Sequence, residues 1–501
     1  MINYKTISED LLEGTKEISH CPAHELFLKI YQDYKYKFLL ESKDISHIYG
    51  RLSLTGIDPV LKITGKNNKF KIEVLNKRGN HYFNQIKEKD LEICDNFKID
   101  KKIITGTIKN KKETLEETKR SQKKNIAQII RILLDKFKSK ERSMLGLYGA
   151  FSYDFIRLFE DLPNKNKDND VNDFTLFLHD TFFFFDHLKE KTSIILFRNS
   201  TQEIDKDILT LENKIEINSL KNPNYKISNA NFDLSKKEYE RLVEKAIKYA
   251  EQGEIFEVVF SNILKAKFKG DPLALYLKYR ETNPSPYLFY FDFKDEQLVG
   301  ASPEMMVRVE QNIANLRPIS GTNFRGQDPI EDHENMMELL SDEKEKSELD
   351  MLIDLGRNDL SRICKSGLKI DDYRFVEKYS RVMHTVAHLS GELKDGYMAL
   401  DALIACLNAG TLTGAPKVAA MKYIENHEKE RRGYYGGTIG YLSFSGEMDT
   451  GIVIRTAHIK NNKLRFQVGA TLLYNSKPEK EYQETLNKAH AFLDTFANNI
   501  K

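Results

Sequence analysis

Two glutamate pairs are the first residues in this sequence whose types and spacing could do chemistry. Glu345 and Glu348 lie in Asp342-Glu-Lys-Glu-Lys-Ser-Glu-Leu-Asp350, and Glu481 and Glu484 in Glu481-Tyr-Gln-Glu-Thr-Leu-Asn-Lys488. A spacing of three puts both members of a pair on one helix face. At about 100° per residue, Glu345 and Glu348 fall inside the apolar arc of Leu349, Met351, Leu352, Ile353 and Leu355, with Lys346, Ser347, Asp350 and Asp354 opposite. Glu481, Glu484 and Lys488 share one arc, which borders the apolar face of Tyr482, Leu486, Ala489, Leu493 and Phe496. A carboxylate turned inward needs a cation. Mg²⁺, which takes one or two carboxylates and keeps waters for substrate anions, is one answer. An internal salt bridge is the other. Spacing does not choose between them, because Glu113/Glu116, Glu251/Glu254, Glu331/Glu334 and Glu425/Glu428 repeat it.

A second kind of segment is dense in glycine, proline and polar residues. Residues 316–326 read LRPISGTNFRG, 354–362 DLGRNDLSR, 410–421 GTLTGAPKVAAM and 432–441 RGYYGGTIGY. Gly410 to Lys417 combines backbone amides, threonine and lysine, a composition suited to holding a carboxylate. There is no Walker A sequence, no G-x-G-x-x-G after a strand, and no Cys-x-x-Cys, H-E-x-x-H or G-x-S-x-G. Nucleotide hydrolysis, dinucleotide chemistry and serine hydrolysis lose support.

These residues must be held by a large scaffold. The chain has 501 residues, enough for two large or three ordinary domains. Formal charge is +2, with 77 Lys and Arg against 75 Asp and Glu, which argues against a nucleic-acid partner. Cys21, Cys94, Cys364 and Cys406 have no paired spacing, so neither a disulfide framework nor a cysteine zinc site is expected. No targeting segment and no membrane span is visible, and a cytoplasmic protein is expected. Tryptophan is absent beside 24 Tyr and 29 Phe.

Residues 1–230 are rich in lysine and asparagine, with strand-like pieces at Phe70–Leu75 and Ile194–Phe197. Phe174 to Phe197 reads as a β-hairpin and 218–231 as a linker. Residues 231–501 open with a capping box, Ser235 with Glu238, and a helix ended by Gly253. Helices are expected at 271–282, 341–359, 396–408 and 478–498, with strands at 437–445, 450–457 and 464–473. The irregular alternation predicts an α+β fold of mostly antiparallel β-sheets, not a doubly wound parallel sheet.

These segments closely resemble the chorismate-utilising enzymes, a family that includes anthranilate, aminodeoxychorismate, isochorismate and salicylate synthases. The resemblance covers 235–495 and rests on SPE (302–304), PISGT (318–322), KEKSE…DLGRNDLSR (344–362), YSRVMH (379–384), GTLTGAPK (410–417), RGYYGG…IRT (432–456) and SKPEKEYQETLNK (476–488). It implies that the antiparallel sheets pack as a sandwich with surrounding helices. Glu257 stands where isochorismate and salicylate synthases carry a water-activating lysine, and Ser320 where aminodeoxychorismate synthases carry lysine. The nearest branch is therefore anthranilate synthase component I. Glu257 and Thr471 depart from the glutamine and glycine usual there and look like the fused single-chain branch.

The resemblance implies amination of chorismate at C2 with loss of the C4 hydroxyl, then elimination of pyruvate to give anthranilate, the first committed step of tryptophan biosynthesis. Another chorismate-utilising synthase, making 2-amino-2-deoxyisochorismate or aminodeoxychorismate, or a non-catalytic regulatory homologue, is the alternative. By the same resemblance Glu304 is the general acid, His384 the histidine of pyruvate elimination, and Glu345, Glu348, Glu481 and Glu484 hold Mg²⁺ on the ring carboxylate. Arg455, Tyr435 and Lys488 receive the enolpyruvyl carboxylate, with Thr411, Gly469 and Ala470 contributing hydroxyl and backbone contacts. Asp359 and Arg357 read as structural ties. Leu39-Leu-Glu-Ser42 and Asn283 to Tyr287 match a tryptophan feedback site, with Glu41, Ser42, Pro286 and Tyr287 as its residues. No cysteine sits in a G-x-C-x-G motif, so a separate glutamine amidotransferase, component II, is expected to supply ammonia.

Overall fold

The computed structural model describes residues 1–43, 52–110, 116–220, 222–379 and 382–496. Glu113, and Ser380 and Arg381 of the YSRVMH segment, lie outside the described residues. Two antiparallel sheets of 13 strands each carry the fold, with helices around them.

Each sheet draws strands from both halves of the sequence. In the first, Lys37–Glu41 pairs with Tyr287–Asp292, Leu288 facing Glu41. In the second, Gly146–Phe151 pairs with Thr438–Ser443, Gly149 facing Gly440. The sheets meet through aromatic rings: Phe38 of the first stacks on Tyr148 of the second at 4.8 Å. The expected sandwich with surrounding helices is the observed architecture.

The second half follows its sequence signals closely. Ser235 and Glu238 form the capping box of helix Lys236–Glu251, and Gly253 follows at φ +73°. Asp342 caps helix Glu343–Ser361, its carboxylate accepting from the amides of Lys344 at 2.8 Å and Glu345 at 3.1 Å. Pro478 opens helix Pro478–Leu493. That helix buries Thr485, Ala489 and Phe492, and Phe492 stacks on Phe466 at 4.0 Å. Phe492 thus joins the predicted apolar face, while Leu486 and Phe496 stay at its margin.

Three local expectations change. The single strand 450–457 is two, Met448–Ile452 and Thr456–Lys460, parted at Arg455 with φ +49°. The stretch 174–197 is not one hairpin: Phe174–His179 belongs to the second sheet, Thr181–Asp186 and Lys191–Arg198 to the first. The linker 218–231 contains most of an edge strand, Tyr225–Phe232, paired with the 14-residue strand Glu257–Gly270.

Candidate active site

Glu304 follows strand Glu296–Ser302, and its amide donates to the Ser302 hydroxyl at 3.3 Å. Its carbonyl accepts from the Ile452 amide at 3.0 Å, so both sheets fix its backbone. The Thr411 hydroxyl, on the turn Gly410–Thr413, reaches its carboxylate at 3.0 Å. Loss of surrounding water pushes the Glu304 carboxyl up to about 7, although Thr411 and Arg455 pull it down. A carboxyl poised there can hold a proton at neutral pH and give it up.

Arg455 stands at the break between the two strands and acts on Glu304 and His384. Among the described residues it forms no ion pair within 4 Å. Burial draws its guanidinium below the ordinary value. Such a group favours an anion in the space before it, and its fork suits a carboxylate.

His384 is buried on strand Val382–Glu392. Its Nδ1 lies 2.9 Å from the Gly321 carbonyl and 3.0 Å from the Thr322 hydroxyl. A carbonyl only accepts, so Nδ1 carries the proton, and Nε2 of the neutral ring keeps a lone pair. Burial holds the ring below its ordinary value. The arrangement suits a general base.

Gly321 links this base to the acidic helix. It sits at φ +67°, and a Cβ there would stand 3.1 Å from a Glu345 carboxylate oxygen. Only glycine reconciles that backbone with this approach. Gly321 was not among the residues singled out by sequence, though its PISGT segment was.

Glu345 and Glu348 are half-buried on their helix, and among the described residues neither forms an ion pair. Burial raises both, and Glu484 raises both further. Glu481 is raised by burial and by Glu484 as well. The four carboxylates therefore share one repulsive field, opposed by Lys344 and Lys488, though among the described residues no preassembled metal cluster is present. A divalent cation fits this donor set by chemistry, since it would relieve the repulsion.

The opposite wall is the strand pair Glu257–Gly270 and Lys463–Leu473. Lys488 donates to the Gly469 carbonyl at 3.1 Å and pairs with Glu484 at 2.6 Å. The Ala470 amide donates to the Tyr239 hydroxyl at 3.2 Å. A Cβ on Gly469 would lie 3.0 Å from the Tyr435 hydroxyl, itself buried without a hydrogen-bond partner among the described residues. Glu257 shares the Val259 face of its strand. Burial, then Glu348, pushes Glu257 up to about 8, and its Oε1 is buried without a partner among the described residues.

The family of chorismate binding enzymes matches residues 82–494. The chain belongs to the chorismate-binding enzyme family. It is 36% identical over 479 residues to anthranilate synthase component 1 of Buchnera aphidicola subsp. Rhopalosiphum maidis, covering 92% of each chain. With the protein of that name from Aquifex aeolicus strain VF5 it shares 40% over 368 residues, 70% of this chain and 73% of the relative. Among solved structures, anthranilate synthase component I of Streptococcus pneumoniae TIGR4 superposes with a TM-score of 0.71 at 30% identity, covering 89% and 93%. The menaquinone-specific isochorismate synthase of Escherichia coli shares the fold at a TM-score of 0.68 and 17% identity, covering 98% and 96%. Among the described residues of this chorismate-binding enzyme, no helix is long and apolar enough to cross a membrane.

Away from the cleft, Glu41, Ser42, Pro286 and Tyr287 line one cavity of about 810 Å³ between the sheets. The Glu41 carboxylate accepts from the Tyr276 hydroxyl at 2.6 Å and from Arg280 at 3.1 Å. Although burial raises it, these partners and His24 hold Glu41 below its ordinary value. The Tyr287 hydroxyl donates to Asp449 at 2.9 Å, and Asp449 pairs with Arg308 at 2.8 Å.

Proposed function

We propose that this protein is the aminating and aromatising subunit of an anthranilate synthase, converting chorismate and ammonia to anthranilate, pyruvate and water. The observation that carries the reading is Glu304, held near neutrality beside Thr411 and facing an arginine with no ion-pair partner among the described residues. Chorismate has an allylic hydroxyl that needs a proton to leave and two carboxylates that need binding.

Arg455, with Tyr435 and Lys488, takes the enolpyruvyl carboxylate. Glu304 gives its proton to the C4 hydroxyl as that bond breaks, while ammonia adds at C2. His384 Nε2 then removes the C2 proton as pyruvate departs. Thr411 orients the Glu304 carboxyl, and the Gly469 and Ala470 backbone shapes the wall opposite. Glu345, Glu348, Glu481 and Glu484 would hold Mg²⁺, which when bound withdraws electron density through the ring carboxylate. The relatives are named as component 1, which supports a glutamine-hydrolysing component 2 as the ammonia source. The cavity around Glu41, Ser42, Pro286 and Tyr287 is read as a tryptophan site that lowers turnover.

The test is direct. The purified protein, with chorismate, Mg²⁺ and ammonium, is expected to develop the blue fluorescence of anthranilate. A non-fluorescent aminated product would make the protein a synthase that stops before elimination. No turnover at high ammonium would leave a non-catalytic homologue.

A further inference from the structure

Behind Glu304, away from His384 and Arg455, lies a small separate cavity of about 60 Å³. Its walls include Glu304, Thr411, Arg317, Cys406, Asp359 and Lys417. A water occupies about 30 Å³ of liquid volume and needs two to four polar partners, so this space suits more than one water. Asp359 is 4% exposed, beyond the reach of bulk solvent. Lys417 binds it at 2.5 Å and also donates to the Cys406 carbonyl at 2.8 Å. Burial pushes the Asp359 carboxyl up against the pull of Lys417, Arg362 and Arg120. The mechanism above uses neither Asp359 nor Lys417, and the Arg317 side chain on the cavity wall is 12% exposed.

The reaction poses a proton problem that this cavity can answer. Each turnover removes one proton from Glu304 to make water from the departing hydroxide. It also releases one proton from the ammonium group formed at C2. Glu304 must regain a proton before its next turnover, and its cleft side is covered for as long as substrate or product is bound. We propose that the cavity is a water-filled proton path, and that Asp359, held by Lys417, positions the water that returns a proton to Glu304. Asp359 is a positioning residue, since it acts through that water. One O–H bond to Glu304 breaks in amination, and an equivalent bond is remade from a path water that solvent reprotonates. The proton released at C2 balances the account.

This inference rests on the anthranilate synthase reading, and one experiment separates the two. Rapid mixing of the protein with chorismate, Mg²⁺ and saturating ammonium is followed by anthranilate fluorescence for the parent and for Asp359→Asn. If the reading holds, the parent makes anthranilate. If the relay holds, Asp359→Asn makes its first anthranilate per site at the parent's rate, then turns over about tenfold more slowly. The chorismate KM stays unchanged, and the solvent deuterium effect on steady-state turnover rises. Equal slowing of first and later turnovers would show that Asp359 only supports structure and would overturn the relay, as would no change in either. Ala409→Val, which narrows the cavity without touching the ion pair, guards against misfolding of the first variant. It is expected to show the same burst, and its absence in a folded Ala409→Val protein overturns the proposal.

Discussion

The cleft around Glu304 and the cavity around Glu41 differ in how their charged groups are met. In the cleft, the Tyr435 hydroxyl and Glu257 Oε1 are buried without partners among the described residues, and the glutamates of two helices repel one another. In the cavity between the sheets, Glu41 is met by Tyr276 and Arg280, and Tyr287 by Asp449. Unmet buried polar groups are costly. The cleft therefore favours the arrival of cations and anions, whereas a cavity ligand must exchange with contacts already made. Yet the two are close in the ladder: Tyr287 faces Ser302, two residues before Glu304. A ligand that shifts the Tyr287 strand shifts the neighbour of Glu304, the proposed acid, and coupling of this kind amounts to about 1–3 kcal/mol.

The largest effect should come from removing the acid. Glu304→Gln keeps the shape and is expected to lower kcat by about 10²–10⁴-fold with little change in chorismate KM. The parent's kcat/KM for chorismate should fall as pH rises through about 7, where Glu304 of the free protein loses its proton. The acidic limb should lie below the ordinary histidine range, because burial lowers His384. In Glu304→Gln the alkaline limb should vanish. An unchanged alkaline limb would assign it to another group and remove Glu304 from its role.

The next effect tests the acidic field. Glu348→Ala relieves repulsion on Glu345 and deletes one proposed ligand. The Mg²⁺ concentration for half-maximal turnover should rise at least about tenfold, while the melting temperature without Mg²⁺ should hold or increase. Retention of the parent's Mg²⁺ response would refute the ligand assignment.

The contrast between the regions was unevenly legible in sequence. Periodicity is a local signal, and it placed Glu345 and Glu348 on a half-buried helix beside the buried Leu349, Leu352 and Ile353, while Met351 and Leu355 of the expected arc are only half-buried. Turn chemistry placed the cap at Ser235. The positive φ of Arg455, which divides the expected strand 450–457, leaves no such mark, because a non-glycine residue adopts it only under tertiary constraint. The crossing of the chain between sheets at Asp180 is equally silent, since an apolar run looks the same in either sheet. Tyr225–Phe232 was hidden because an edge strand buries little, and its asparagines read as a loop. Nothing local foretells that Glu41 faces Leu288 or Gly149 faces Gly440, so the way the two halves build both sheets had to be seen.

The smallest effect sharpens the comparison from the other side. Ser42, like Ser143 in the same cavity, has a buried hydroxyl with no hydrogen-bond partner among the described residues. If tryptophan binds there, that hydroxyl can meet its ammonium or carboxylate without breaking an existing contact. Ser42→Ala should then cost one hydrogen bond, about 0.5–1.5 kcal/mol, and raise the tryptophan concentration for half-inhibition by about two- to tenfold. Turnover without tryptophan should stay close to the parent's, because Ser42 has no contact with Glu304, His384 or Arg455. The protein contains no tryptophan of its own, so the anisotropy of the added ligand's indole emission reports binding without a protein background. Equal affinity in the parent and in Ser42→Ala would exclude this hydroxyl from the site. Weakened binding with unchanged maximal inhibition would assign Ser42 to recognition and leave the coupling to the Tyr287–Ser302 ladder.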